Sequence, residues 1–265
     1  MTAPSALINA TGIQIGYGRN VIIDDLSASF PRAAITTIIG PNGCGKSTLL
    51  KALAGLLPHT RGTIELEGKN LSGYRRKQLA TTIAVLPQSP VAPEGLVVGD
   101  LVLRGRHPHQ SWINQWSTTD EDIVGQAMTM TGVADLADRT LDSLSGGQRQ
   151  RVWIAMVLAQ ETGVLFLDEP TTYLDMAHSI DVLNLVRKLK NTAGKTIIMV
   201  LHDLNLAVRY SDHLVVMKDG AVHATGSPET IITPQLLNDV FDMEAVVTDD
   251  PVVGGPLIVP AAPAD

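Results

Sequence analysis

Gly40-Pro41-Asn42-Gly43-Cys44-Gly45-Lys46-Ser47, followed by Thr48, has the spacing G-x-x-x-x-G-K-[ST]. The apolar run Ile35 to Ile39 precedes it, and Leu49, Leu50, Leu53, Leu56 and Leu57 follow at helical spacing. A buried strand is therefore expected to run into a loop and then into an amphipathic helix. Glycines let successive backbone N–H groups point inward as an anion nest, and the helix adds partial positive charge at its N-terminus. Lys46 is placed to bridge the β- and γ-phosphates of a nucleotide, and Ser47 to ligate Mg2+ through its hydroxyl. A glycine-rich turn that binds nothing is the plainer alternative, and it leaves the flanks unexplained. Cys44 beside a helix N-terminus invites a redox reading, against which a small residue tolerated in the loop is the simpler account.

Outward from this loop, Ile83 to Leu86, Val164 to Leu167 and Thr196 to Leu201 are also apolar without alternation. Such runs suit strands covered on both faces, and helical patterns between them indicate a parallel sheet wrapped by helices. Thr63 to Glu67 alternates polar and apolar residues, and Leu214 to Thr225 turns at Asp219-Gly220. Both read as antiparallel ribbons forming an added β-layer. From about Pro90 to Leu144 the β-branched runs give way to Pro, Gly, Trp and helix-type polar residues, as expected of an inserted helical subdomain. After Thr233 a short helix is expected, then an extended, frayed end in the Pro- and Gly-rich tail.

Asp168 and Glu169 stand at the C-terminal end of the Val164 strand, where ligands gather in open α/β sheets. Asp168 is the natural Mg2+ partner, and Glu169 is then placed to accept a proton from an attacking water. Solvated loop acids before Pro170 are the bland alternative. His202 follows the Thr196 strand in a similar position and becomes a candidate γ-phosphate contact in combination with the rest.

Leu144-Ser145-Gly146-Gly147-Gln148 resists a packing explanation, because each glycine at a helix start weakens it by about 1 kcal/mol. It resembles the signature motif of ATP-binding-cassette proteins. The loop Gly40 to Thr48, Gln88, Asp168-Glu169, Thr172-Tyr-Leu-Asp175 and His202 complete that family's nucleotide-site elements in family order, across essentially the whole chain. The resemblance implies a P-loop NTPase of the RecA-like α/β class, with ATP as nucleotide. It implies that Tyr17 stacks on adenine and that Gln88 touches Mg2+ and the attacking water while linking two lobes. It further implies that Ser145, Gly146, Gly147 and Gln148 bind the γ-phosphate of ATP held by an opposite subunit, with Asp175 at that interface. The implied layout is one cassette, with a core and β-layer over 1–88 and 145–232, a helical subdomain over 89–144 and a C-terminal extension over 233–265.

Gly105-Arg-His-Pro-His109, Leu144 to Gln160, Asp168 to His178 and Val200 to His213 together resemble ATPases of iron-siderophore, haem and cobalamin importers, nearest to the siderophore branch. The tail motifs Asp250 to Gly254 and Gly255 to Leu257 resemble that branch too. Ala33 departs from the pattern where a turn glycine is usual, as does Ser179 where Gln is common. One phosphate loop and one signature motif per chain imply a head-to-tail homodimer. The resemblance adds two membrane permease subunits, an extracytoplasmic binding protein reached indirectly, and a peripheral position on the cytoplasmic side of the inner membrane. Haem or cobalamin import, a soluble cassette acting on ribosomes or DNA, and a regulator without turnover are the rivals. Neither two cassettes nor a long coiled-coil insertion is visible, and Lys46, Glu169 and His202 are intact.

Other residues read more plainly. His107 and His109 suit surface or partner contacts better than metal ligation, and Arg149 and Arg151 suit a solvated helix face. Trp112 and Trp116, four apart if helical, suit packing within the helical segment or against a partner. The 265 residues are 45% hydrophobic, enough for a sizeable core, and no apolar run approaches the roughly 18 residues of a membrane helix. A net charge of −7 argues against broad nucleic-acid binding, so none is expected. The single Cys44 rules out an internal disulfide framework, and the N-terminal sequence does not resemble a secretory signal.

Overall fold

A computed structural model describes residues 6–110 and 117–261. The chain opens with two long strands, β1 (Ala6–Tyr17) and β2 (Asn20–Pro31), then β3 (Ile35–Ile39), α1 (Lys46–Leu53), β4 (Arg61–Leu66) and the short β5 (Lys69–Asn70). It continues through α2 (Arg76–Ala80), β6 (Ile83–Leu86), α3 (Val98–Leu103), a 3-10 turn at Arg104–His109, α4 (Thr118–Thr131), α5 (Gly146–Ala159), β7 (Val164–Asp168) and α6 (Met176–Ala193). The last stretch holds β8 (Thr196–Val200), α7 (Leu204–Tyr210), β9 (His213–Lys218), β10 (Ala221–Gly226), α8 (Pro228–Ile231), α9 (Pro234–Phe241), β11 (Ala245–Asp249) and β12 (Pro256–Pro260). These elements fall into two compact units, one of Met1–Tyr74 with Thr196–Asp265, the other of Arg75–Lys195. Trp112, Trp116 and the final residues of the tail lie outside the described residues.

In the first unit, β3 lies between β8 and β9 and is parallel to both, with every residue of β3 and β8 buried. Ile35, Ile38, Ile39, Ile197, Ile198, Leu214 and Val216 fill this core. A second sheet in the same unit runs β2-β1-β4-β5 and is antiparallel throughout. Its alternation of buried and exposed residues is that of a sheet with one covered face. The second unit pairs β6 with β7 in parallel and packs α3 and α4 on α5. The α/β class, with parallel strands, an antiparallel layer and a helical insertion, is therefore present.

Two expectations are corrected. The Leu49 to Leu57 pattern is not one helix: α1 ends at Leu53, Gly55 turns the chain at φ +71°, and Leu56 is 63% exposed. Glycine in the left-handed region just past a helix is a common stop. The Asp219-Gly220 hairpin also belongs elsewhere than in the antiparallel layer, because β9 pairs with β3. Its interior, Leu214 to Met217, is buried on both faces, which fits a strand inside a covered parallel sheet. Within the described part of the tail, β11 and β12 pair as an antiparallel hairpin, fastened to α7 by Asn205, which both donates to and accepts from the Ile258 backbone.

Candidate functional site

The phosphate loop springs from β3. Gly40 has φ +155°, and a Cβ there would stand 2.2 Å from the Met217 carbonyl oxygen and 2.8 Å from Cys44 Sγ, so only glycine fits. Gly43 and Gly45 also lie at positive φ, and Gly45 caps α1. Pro41 and Asn42 form the rim of the loop, while Ser47 and Thr48 sit half-buried in the first turn of α1, whose N–H groups have no carbonyl one turn back. Lys46 is only 5% exposed, and its Nζ donates to the carbonyls of Gly40 (2.9 Å) and Pro41 (2.8 Å). The ammonium is thus folded across the loop mouth.

The β9–β10 turn supports this loop from behind: the Gly220 N–H donates to the Cys44 carbonyl at 3.2 Å. Asp219-Gly220 reads in sequence only as a hairpin signal, and nothing there shows that it braces residue 44. Cys44 is buried, and burial pushes its thiol up from the ordinary value despite the opposing charge of Lys46. A thiol held protonated is a poor nucleophile, which favours the packing role over the redox one.

Two more candidates share this unit. Tyr17 ends β1 and is 52% exposed at the β1–β2 turn. Ile22 and Ile23, just after that turn, lie beside Gly45, so the turn is anchored next to the phosphate loop. His202 follows β8 by two residues, as Gly40 follows Ile38, and Ile38 is in register with Val200. Parallel pairing therefore delivers His202 and the start of the loop to the same sheet end.

The same logic operates in the second unit. Leu86 is in register with Leu167, and two residues beyond each stand Gln88 and Glu169. Gln88 Nε2 donates to Glu169 Oε2 at 2.5 Å, and Thr172 Oγ1 donates to the same oxygen at 2.9 Å. Asp168 and Glu169 are 2% and 8% exposed, and Glu169 holds the left-handed backbone conformation at φ +53°. Strain of this kind, about 1–3 kcal/mol for a non-glycine residue, persists where the surroundings impose it. Here the Thr172 N–H closes the turn onto the Glu169 carbonyl at 3.2 Å.

Ser145 is the N-cap of α5. Its Oγ accepts from the Gln148 N–H (3.3 Å), and Gln148 Oε1 accepts from the Ser145 N–H (3.1 Å), a reciprocal capping box. Ser145 and Gly146 are exposed, whereas Gly147 is buried against the His178 ring. Asp175 caps α6, accepting from the His178 N–H (2.9 Å) and from His178 Nδ1 (2.8 Å). Those two bonds hold the Asp175 carboxyl below the usual carboxylate range. His178 was visible in sequence only as part of a branch-typical string.

The Gly105 to His109 string also gains a physical account. Gly105 lies so close to α5 that a Cβ would stand 2.2 Å from the Met156 carbonyl oxygen. The buried Arg106 binds Asp120 (2.7 Å), Glu161 (2.8 Å) and the Ala159 carbonyl (2.7 Å), and His109 Nε2 donates to the Gln160 carbonyl at 2.7 Å. The string staples a 3-10 turn to the C-terminal end of α5.

Residues 23–172 match the family described as ABC transporter. The chain belongs to the ABC transporter family. Within that family it is 50% identical to the petrobactin import ATP-binding protein FpuD of Bacillus anthracis over 248 residues, 94% of this chain and 91% of that one. It is 45% identical to the ferric enterobactin transport ATP-binding protein FepC of Escherichia coli strain K12 over 260 residues, 98% and 96% of the two chains. Among solved structures, an inward-facing conformation of a metal-chelate type ABC transporter superposes with a TM-score of 0.84 at 27% identity, covering 97% of this chain and 98% of that one. The chain is thus the ATP-binding cassette of an ABC transporter. No helix among the described residues is long and apolar enough to cross a membrane.

Proposed function

We propose that this cassette hydrolyses Mg-ATP, working as a head-to-tail pair of copies, to drive import of a ferric siderophore through two membrane permease subunits. The observation that carries the hydrolytic part is the Glu169 carboxylate at the end of β7, bridged by Gln88 and Thr172. In this reading Lys46 exchanges its two loop carbonyls for β- and γ-phosphate oxygens. Water attacks the γ-phosphorus, its proton passes to Glu169, and the bond to the bridging oxygen breaks with its electron pair leaving on ADP. Gln88 orients that water, and His202 contacts the γ-phosphate. Ser145 to Gln148 grip the γ-phosphate of ATP held by the other copy, Asp175 lines the interface between copies, and Tyr17 stacks on adenine.

The residues suit Mg2+. Ser47 supplies a hydroxyl and Asp168 a carboxylate, and with Gln88 Nε2 committed to Glu169 the Oε1 end is the one able to ligate. An all-oxygen donor set fits a small hard cation. When bound, Mg2+ neutralises charge on the phosphate oxygens.

We further propose the division into a nucleotide core over 1–88 and 145–232, a helical subdomain over 89–144 that receives the permeases, and a C-terminal extension over 233–265. The cassette then sits on the cytoplasmic face of the membrane, with an extracytoplasmic binding protein delivering the substrate. Petrobactin and ferric enterobactin, the cargoes named for the two relatives above, are what support a siderophore over haem or cobalamin. In a strain lacking this chain, uptake of iron supplied as a ferric siderophore should be lost, restored by the native chain and not by Lys46→Ala. Normal ferric siderophore uptake in that strain, with haem or cobalamin uptake lost instead, would overturn the cargo assignment.

A further inference from the structure

We propose that His178 is a positioning residue that locks the signature segment to the loop ending at Asp175, so that the two move as one body. The proposal rests on the reading above, in which Ser145 to Gln148 and Asp175 both face a second copy of the chain.

The case starts from Gly147. Its φ is not positive, so its backbone does not require glycine. Alanine in the first turn of α5 would favour the helix by about 1 kcal/mol. What excludes alanine is the neighbour: a Cβ at 147 would stand 2.3 Å from His178 Cδ2, 2.9 Å from Cγ and 3.2 Å from Nε2. Gly146 differs, because its nearest neighbour, Leu174 Cδ2, lies 3.6 Å from the corresponding point.

The ring cannot simply yield. His178 Nδ1 is bound to Asp175 Oδ1, which also receives the His178 N–H, so the imidazole is pinned to the cap of its own helix. With a side chain 42% exposed, the ring has room to swing outward, but only by giving up Asp175. The α5 and α6 helices pack against each other, and the His178 imidazole sits against the first turn of α5 while bonded to the cap of α6. Anything that displaces the Asp175 loop therefore displaces the first turn of α5, including the N–H groups of Gly146 and Gly147.

The experiment compares native chain, His178→Ala, His178→Asn, Gly147→Ala, Gly147→Ala/His178→Ala and Ser145→Arg, measuring phosphate release against ATP concentration and, separately, ATP affinity. His178→Ala and Gly147→Ala should each lower kcat about 10- to 100-fold, the scale of a misplacement near 1 Å. ATP affinity should stay within about two-fold, because the phosphate loop is untouched. The double variant should be no worse than the poorer single variant, since removing the ring leaves room for the methyl group. His178→Asn, which keeps a donor for Asp175, should recover part of the His178→Ala loss. Multiplying losses in the double variant, or normal turnover in His178→Ala, would overturn the proposal. If Gly147→Ala does not fold, the His178 variants alone decide. Ser145→Arg separates the two levels: abolished turnover there with silent His178 variants sinks only the coupling, whereas normal turnover in Ser145→Arg sinks the signature reading itself.

Discussion

Glu169 combines a buried carboxylate, a left-handed backbone and two side-chain donors on one oxygen. Glu169→Gln preserves the shape and removes the proton acceptor, so phosphate release should fall by about 10²–10⁴-fold. ATP affinity, measured at equilibrium, should survive, since Lys46, Ser47 and Asp168 are unchanged. Ala33 illustrates strain without chemistry: it holds φ +53° on the surface, with its N–H bonded to Thr196 Oγ1 at 2.8 Å. The left-handed conformation costs an alanine about 1–2 kcal/mol, and the greater freedom of glycine in the unfolded chain offsets part of that. Ala33→Gly should therefore raise the thermal midpoint by about 2–4 °C, for a gain near 1 kcal/mol. At this scale the phosphate loop was legible because its glycines and lysine carry their own mechanism. Gln88 was legible only through family resemblance, because its bond to Glu169 depends on strand register. The demand on Gly147 was not legible, because the atom that makes it sits 31 positions away on another helix.

Helix α5 is held at both ends, by the Ser145 capping box at its start and by Arg106 on the Ala159 carbonyl at its finish. Removing Arg106 would leave Asp120, its side chain 14% exposed, without its cation. Arg106→Ala should destabilise the fold by about 3–5 kcal/mol, as breaking one side of a buried ion pair does, while Arg106→Met should lose less. Urea unfolding measures both. Arg106 also holds the Asp120 carboxyl below its ordinary value. A carboxylate depressed in the folded state stabilises above the unfolded value and loses that contribution as pH falls through the folded one. The acid limb of the stability curve should therefore be shallower in Arg106→Met. Elements with uniform burial, β3, β7 and β8, and the nearly uniform β6 were readable from apolar runs alone. The 12-residue β1 and β2 were not read as strands, because their register shifts several times and the simple alternation breaks. The end of α1 was overrun because Leu56 and Leu57 continue the helical spacing past Gly55.

Over the whole molecule, one phosphate loop and one signature motif per chain predict a nucleotide-dependent pair. Glu169→Gln with ATP should sediment at twice the mass it shows without nucleotide, and equal mass in both conditions would count against the pairing. The overall class was legible in sequence since local patterns specify it. The bracing of the phosphate loop was hidden, because it is long-range: β3 pairs only with β8 and β9, and Cys44 is held by Gly220. That arrangement has a consequence during synthesis. Some 175 residues separate Cys44 from Gly220, so at about 5–20 residues per second the motif leaves the ribosome roughly 9–35 s before its brace. For most of that interval the nascent chain carries every residue of the phosphate loop, with β2 and β3 before it, and lacks β8 and β9, the two strands that flank β3. The phosphate loop therefore gains its full support only late in synthesis, once β8 and β9 flank β3 and the Gly220 N–H reaches the Cys44 carbonyl.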